Sequence, residues 1–582
     1  MVTVTGIAPG ASGVANGGEC TSGAADRTRN GSLRVAAVFS DHMVLQRETP
    51  VAVFGTAPAG GRVVVDLMDD QGVTVAQTMA VAQAYGEHET EAPWLAILPA
   101  LPASGPYTLR VSHETNRLEF ADVMIGEVWL AGGQSNMELE LHTSEHGDEA
   151  IAAADDPLLR FYNTPKAGRI DESAEAASGW EPALAPQVTG MSAIAYHFGA
   201  RLRAQLGADM AVGIIDCYIG GTSITSWMSR ATLIGSDAGR PYVERYEAAI
   251  AGKTEEQMRA EADEWQTVFD RWNNNVAAMK EAHPGITQPQ IDAEIGPCPW
   301  PPPVTPFSER RVSAPYEAMV RRVAPYTLRG FLWYQGEEDE AQCESYRELL
   351  GLLIEEWRTL WNLGGYAEPT VGYQADAGAD ALPFIVVQLP QWIDGQVAAR
   401  GEDPRHWPVI RAAQLDASET LHDVLLVCTM DCGEFDNIHP LDKTTVGTRI
   451  ADMALRGVYG RADVEAESPC VAGVTPAPGA LDVTFTNARG LHWRGTTPDT
   501  LRAAVGESGA RGAGESGFEI AGADGVYADA GARIMPGDGE RVTVRVEAPH
   551  VDSPTAVRYA WKSWGPAPLF NGAELPALPY AG

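Results

Sequence analysis

Gly126-Glu-Val-Trp-Leu-Ala-Gly-Gly-Gln-Ser-Asn-Met137 is an apolar run that ends in two glycines and a short polar stretch. Residues 125–131 read as a buried strand, and Gly132-Gly133-Gln134 as the sharp turn that carries Ser135 off its end. Four more runs have the same texture: Met210–Ile215, Gly330–Tyr334, Phe384–Gln388 and Val424–Cys428. Helical patterns over 191–206, 254–282, 345–361 and 441–456 stand between or after them. Short, wholly apolar strands alternating with helices predict an α/β fold around a parallel sheet covered on both faces. In such sheets the site forms beyond the carboxyl ends of the strands.

On either side of this region the pattern changes. Residues 33–120 hold short strands with Pro/Gly punctuation, among them Val51–Gly55, Arg62–Leu67 and Tyr107–Val111, which predicts an N-terminal β-sandwich region. Alternating stretches return over 461–582, for example Leu481–Phe485 and Arg541–Val546, a C-terminal β region. Residues 1–32, rich in Gly, Ala, Ser and Thr, read as a flexible leader, and 121–460 as the catalytic domain, with a helix-rich insertion at about 236–300. Residues 285–315, with Pro297, Pro299, Pro301, Pro302 and Pro303, read as an irregular connection at a rim of the site. A chain of 582 residues exceeds one hydrophobic core, in keeping with this division.

The formal net charge of −36 argues against nucleic acid and anionic membrane surfaces as partners, since both need clustered Lys and Arg. An anionic substrate would need a local Arg, because the overall field repels it. The seven cysteines include no CxxC pair and fit reduced thiols. No stretch is apolar enough to span a membrane, and the start shows no signal peptide, so a cytoplasmic location is expected.

A serine hydroxyl needs a base, a group that orients the base, and donors for the developing oxyanion. Ser135 alone is no proof of a nucleophile, since a Ser after a Gly-rich turn is more often a helix cap. Nor is this the G-x-S-x-G elbow, because Met137 stands where the second Gly would be. Asp436-Asn-Ile-His439, after the last apolar run, offers a base with a carboxylate three residues away that can fix its tautomer. Gly220-Gly221-Thr222 follows the second run, and a glycine amide can point into a cavity unobstructed. Gln335, in Tyr334-Gln-Gly-Glu337 after the third, offers a side-chain amide.

These elements, in this order, resemble the sialate O-acetylesterases, a carbohydrate-esterase branch of the SGNH hydrolases. The likeness begins with Phe39-Ser-Asp-His-Met-Val-Leu-Gln-Arg47. It continues through Gly133–Met137, Met191–Tyr196, Gly220–Thr222 with Trp227, Trp333–Glu337, Arg411–Gln414 and Ile438–Pro440 with Lys443, and ends at Phe570-Asn571 and Leu575–Ala577. The resemblance implies a three-layer, flavodoxin-like SGNH domain with accessory β-sandwich regions. It implies Ser135 as nucleophile, His439 as base and Asp436 as orienting acid. The amides of Ser135 and Gly221 and the side chain of Gln335 would hold the oxyanion. Gln134, Asn136, Glu337 and Arg411 are the candidate substrate contacts, Arg411 either through a sialate carboxylate or, as an equal alternative, as a structural ion pair. The reaction implied is hydrolysis of O-acetyl esters on sugars, with O-acetylated sialic acid first and acetylated xylan or other glycans second, and with no metal or organic cofactor. The chain departs from the family after Glu337, where Glu338 and Asp339 replace the usual Ser/Thr and Asn.

Two other readings compete. His142-Thr-Ser-Glu-His146 fits H-x-x-E-H, a zinc-peptidase pattern, but Gly147 ends any helix there and no third ligand can be assigned. A glycan-binding protein without turnover is the other, which the full set of catalytic elements argues against.

Overall fold

Asn116–Gly133 (β1) is a single strand of 18 residues with two burial regimes. Its first part pairs antiparallel with Ser104–His113 and alternates between buried and exposed side chains. From Val123 onward every residue is buried; Val123–Gly126 lie between the strands Ser104–His113 and Val44–Gln46, and from Trp129 parallel strands flank the chain on both sides. The strand expected over 125–131 therefore extends well toward the N-terminus. It joins the N-terminal β region to the parallel sheet, and one continuous core runs through both. The computed structural model describes residues 29–30, 32–84, 90–283, 285–362, 382–495, 510–537 and 539–582, so most of the expected leader 1–32 lies outside the described residues.

The sheet continues with β2 (Asp155–Asn163), β3 (Trp180–Leu184), β4 (Val212–Tyr218), β5 (Gly330–Tyr334), β6 (Phe384–Val387) and β7 (Val424–Val427). Their order is β3-β2-β4-β1-β5-β6-β7. All are parallel except β3, which pairs antiparallel with β2 at one edge. Helices Ala193–Leu206 and Lys443–Gly457 pack together, as do Tyr346–Trp361 and His406–Thr420. Trp129 of β1 meets Phe198 of the first pair edge to face. Gly132, whose side chain would point to the other face, lies against Trp357 of the second pair, 3.1 Å from where a Cβ would stand. The chain is thus a mixed α/β protein with helices on both sides of β1. Long helix 255–282 is closed by a capping box at Thr254 and Gln257, close to the expected stretch.

The C-terminal strands form antiparallel sheets of their own around a second core. That core includes Cys428 and Met430, just past β7, so it buttresses the loop that carries Asp436 and His439. Among the described residues no helix is long and apolar enough to cross a membrane.

Candidate active site

Gly133 sits at φ 142°, and a Cβ there would lie 2.1 Å from the Tyr334 carbonyl oxygen. Only glycine lets β1 and β5 approach so closely at the point where the chain turns. The next residue, Gln134, is the N-cap of the short helix Ser135–Glu138, and its carbonyl accepts from the Met137 and Glu138 amides. The cap position thus falls one residue before Ser135, and no side chain caps this helix. The Ser135 hydroxyl contacts His439 Nε2 instead, at 2.7 Å across 304 residues of sequence.

The residues that hold this pair in register are polar and buried. Asn136 donates from Nδ2 to the Ile438 carbonyl at 2.9 Å and to Glu337 Oε1 at 2.6 Å. Its Oδ1 accepts from Lys443 Nζ at 2.7 Å. One amide therefore links the serine's helix, the loop after β5 and the histidine's loop. With both ends engaged, Asn136 is a brace and not the substrate contact expected, and Glu337 is its partner. Asn437 clamps the histidine loop locally: its Oδ1 accepts from the His439 amide at 3.1 Å and its Nδ2 donates to the His439 carbonyl at 3.0 Å.

Burial pushes the His439 imidazole down to about 3, and the charges of Lys443 and Lys280 add to this. The ring is therefore neutral at pH 7 and can accept a proton. Burial also lowers Lys443 to about 8 and raises Glu337 to about 7, so this brace carries less charge than its residue types imply.

Asp436 is placed differently from the expectation. Its Oδ1 accepts from the Gly395 amide at 2.6 Å, and its carboxylate fills the space a Cβ at Gly395 would take. Among the described residues no hydrogen bond joins Asp436 to the His439 ring. Burial raises Asp436 to about 6, with Asp394 and Asp292 adding to the rise and the Gly395 amide opposing it.

The oxyanion donors also divide. Among the described residues, the amides of Ser135 and Gly221 donate to no other group. The Gln335 Nε2 group is already spent on Asp339 Oδ2 at 2.6 Å, Gln134 Oε1 at 3.1 Å and the Thr222 carbonyl at 3.1 Å. Three acceptors share its two hydrogens, so Gln335 ties loops together beneath the site. Gln134 Oε1 also takes the Gly336 amide, which makes Gln134 part of the same support. Asp339, where the chain departs from the family pattern, is wholly buried and accepts from Gln335, Ser223 and the Ile224 amide.

Arg411 is fully buried and donates to the carbonyls of Lys562 and Ser563, at 3.2 and 3.0 Å. Of the two roles expected for Arg411 the structural one is what is seen, through backbone carbonyls instead of an ion pair: its guanidinium ties a sheet-covering helix to the C-terminal region. His142 lies in the 3-10 turn Leu141–Thr143, whereas His146 stands at φ 59° ahead of helix Gly147–Ala153. The two do not share a helix face, and among the described residues no group of His, Cys, Asp and Glu could hold a metal ion.

Sequence spacing did not reveal Glu138, Trp300 or Arg310. Glu138 accepts from the Gly220 amide and pairs with Lys166. Trp300 and Arg310, from the Pro-rich connection, stand over the Gly220-Gly221 turn and line a pocket of about 170 Å³ with Gly221 and Glu338. A larger cleft of about 430 Å³ adjoins it, sharing Trp300 and Glu338 and reaching Glu340, Trp392 and Asp394.

Residues 304–456 match the family model described as SASA, a carbohydrate esterase, sialic acid-specific acetylesterase. The match includes Gln335, Asp436 and His439. The chain is 24% identical over 458 residues to a mouse protein named sialate O-acetylesterase, covering 75% of each. It is 22% identical over 468 residues to the human protein of that name, covering 76% of this chain and 75% of the other. Among solved structures it is similar to a carbohydrate acetylesterase from Xanthomonas citri, at 25% identity and a TM-score of 0.66, covering 94% of this chain and 99% of that one.

Proposed function

We propose, for a chain that belongs to the sialate O-acetylesterase family and is a carboxylic ester hydrolase, that it removes O-acetyl groups from sugars with Ser135 as nucleophile and His439 as base. The observation that carries this reading is the 2.7 Å contact between the Ser135 hydroxyl and His439 Nε2. His439 takes the hydroxyl proton as Ser135 attacks the acetyl carbonyl, and the tetrahedral oxyanion accepts from the Ser135 and Gly221 amides. Collapse leaves an acetyl-enzyme, and His439 protonates the departing sugar hydroxyl. The same imidazole then activates water, and acetate leaves with Ser135 restored. We read the parallel-sheet region as the three-layer SGNH domain, with the flanking β regions as accessories. The Asp436 carboxylate has its own partner in Gly395, so we assign the proton transfer to the Ser135–His439 pair and give Asp436 a part in shaping the loop.

O-acetylated sialic acid is the substrate the family suggests. A second reading, acetylated xylan or another neutral glycan ester, is favoured by the engagement of Arg411 with the Lys562 and Ser563 carbonyls and by the carboxylates Glu338, Glu340 and Asp394 along the cleft. Acetate release measured over O-acetylated sialic acids and acetylated xylo-oligosaccharides decides between them. In Ser135→Ala, release from every substrate should vanish with the fold intact; undiminished release in that variant would refute the esterase assignment.

A further inference from the structure

The Gly220–Gly221 peptide carries the N–H assigned to the oxyanion; Arg310 engages this peptide, and Glu138 holds the one before it. Gly220 packs directly on the nucleophile, because a Cβ added there would stand 3.2 Å from Ser135 Cβ. Its amide is held by Glu138. Its carbonyl accepts from Arg310 Nε at 2.9 Å. In a trans peptide the C=O and the following N–H point in opposite directions. An arginine that holds the Gly220 oxygen therefore aims the Gly221 N–H away from itself, on the side opposite the guanidinium. Gly221 is in the left-handed region at φ 68°, and the Trp300 ring would meet a Cβ there at 2.4 Å, so only glycine fits this turn beneath the indole. Arg310 is kept in place by Glu309, 2.9 Å from Nη1, and lies over the Trp300 ring.

We infer that Arg310 is a positioning residue for catalysis, which orients and polarises the Gly220–Gly221 peptide so that the Gly221 amide is a ready donor to the oxyanion. The cationic donor on the carbonyl draws electron density from the peptide and strengthens the N–H on its far side. The Pro-rich connection expected at a rim of the site thus acts on the chemistry through the backbone, without touching the ester. The inference rests on the assignment of Ser135 and Gly221 above.

The test compares Arg310→Met and Arg310→Lys with the parent chain on p-nitrophenyl acetate, with phenylboronic acid as inhibitor and Ser135→Ala run alongside. Phenylboronic acid forms a tetrahedral adduct with a serine, placing an oxygen where the oxyanion would be. Removing an oxyanion donor outright costs ~100–1000-fold, so losing its alignment in Arg310→Met should lower kcat by ~10–100-fold with KM nearly unchanged. The affinity for phenylboronic acid should fall by the same factor. Arg310→Lys, which can still reach the Gly220 carbonyl, should recover part of both, and added guanidinium should partly rescue Arg310→Met. An unchanged kcat in Arg310→Met, or a lower kcat with phenylboronic acid binding intact, overturns the inference. With O-acetylated sialic acids assayed alongside, a rise in KM on them that p-nitrophenyl acetate does not show also overturns it and makes Arg310 a substrate contact. If Ser135→Ala stays active, the esterase assignment fails, an outcome separate from these.

Discussion

Asp436→Asn separates two roles that differ by orders of magnitude. In a triad, the orienting carboxylate fixes the histidine tautomer, and its exchange for an amide costs about 10⁴-fold in kcat. Here the Asp436 oxygen accepts from the Gly395 amide at 2.6 Å, and an asparagine oxygen can take the same bond. We therefore expect kcat for p-nitrophenyl acetate to fall by less than ~10-fold in Asp436→Asn, because only a loop contact changes character. Asp436→Ala, which deletes that acceptor, should lose about 1 kcal/mol of stability. The pH dependence of stability provides a second readout. Folding raises the carboxyl of Asp436 from an ordinary aspartate value to about 6, so the folded chain binds the extra proton more tightly. The parent chain should accordingly lose stability as pH rises through that window, from about 4 to about 6, and carry the full penalty above it. Asp436→Asn lacks this step and should melt at the same or a higher temperature than the parent at pH 8. A loss near 10⁴-fold in kcat, with folding intact, would refute the reasoning and restore Asp436 as the acid behind His439.

Four other outcomes follow from the same geometry. With His439 lowered to about 3, kcat/KM should hold nearly constant as pH falls to about 5 and decline only as the imidazole gains its proton below that; an acid limb centred near 6.5 would show an ordinary, solvated histidine. Asn136→Ala removes the partner of Glu337, Lys443 and the Ile438 carbonyl at once, so it should cost about 2–3 kcal/mol in denaturant unfolding, and kcat should fall as the Ser135–His439 contact loses its brace. Arg411→Met strands the buried Ser563 carbonyl and the part-buried Lys562 carbonyl and should lower stability by about 2 kcal/mol; the ratio of activity on sialate and neutral acetates should stay as in the parent, and a selective loss on sialates would contradict the placement of Arg411. Incubation with EDTA should leave acetate release unchanged, whereas a loss restored by zinc would bring His142 and His146 back into consideration.

How much of this was legible in the chain depends on the range of the interaction that leaves the mark. The apolar runs before Ser135 and Gln335 are buried throughout, and Val424–Val427, before His439, is buried at its two end residues and half-buried between them; burial writes itself directly into composition. Helix ends were legible to within a few residues for the same reason: Thr254 and Gln257 form a local cap. The length of β1 was not, because its first part alternates while the rest is apolar throughout, and only pairing with different neighbours makes the two parts one strand. Ser135 and His439 were legible as a pair of candidates at strand ends, and their contact is what the topology adds.

The residues that escaped the sequence reading share a cause. Arg411 and Arg310 are both arginines that donate to backbone carbonyls, and a carbonyl acceptor has no residue type to betray it. Nothing in the spacing could tell that one is sealed under the C-terminal region while the other faces the turn beside the nucleophile. The same blindness explains Gln335 and Asp436. Both have the chemistry of an active-site group, and both are engaged by partners that the sequence cannot name: a backbone carbonyl and two side chains take up the Gln335 amide, and a glycine amide holds one oxygen of Asp436. A side chain's capacity for hydrogen bonds is set by its type, but its availability is what remains after the fold has used that capacity. By that measure our proposal gives the oxyanion to backbone amides that donate to no other group among the described residues, those of Ser135 and Gly221, and gives the polar side chains around them the part of keeping those amides and the Ser135–His439 pair in place.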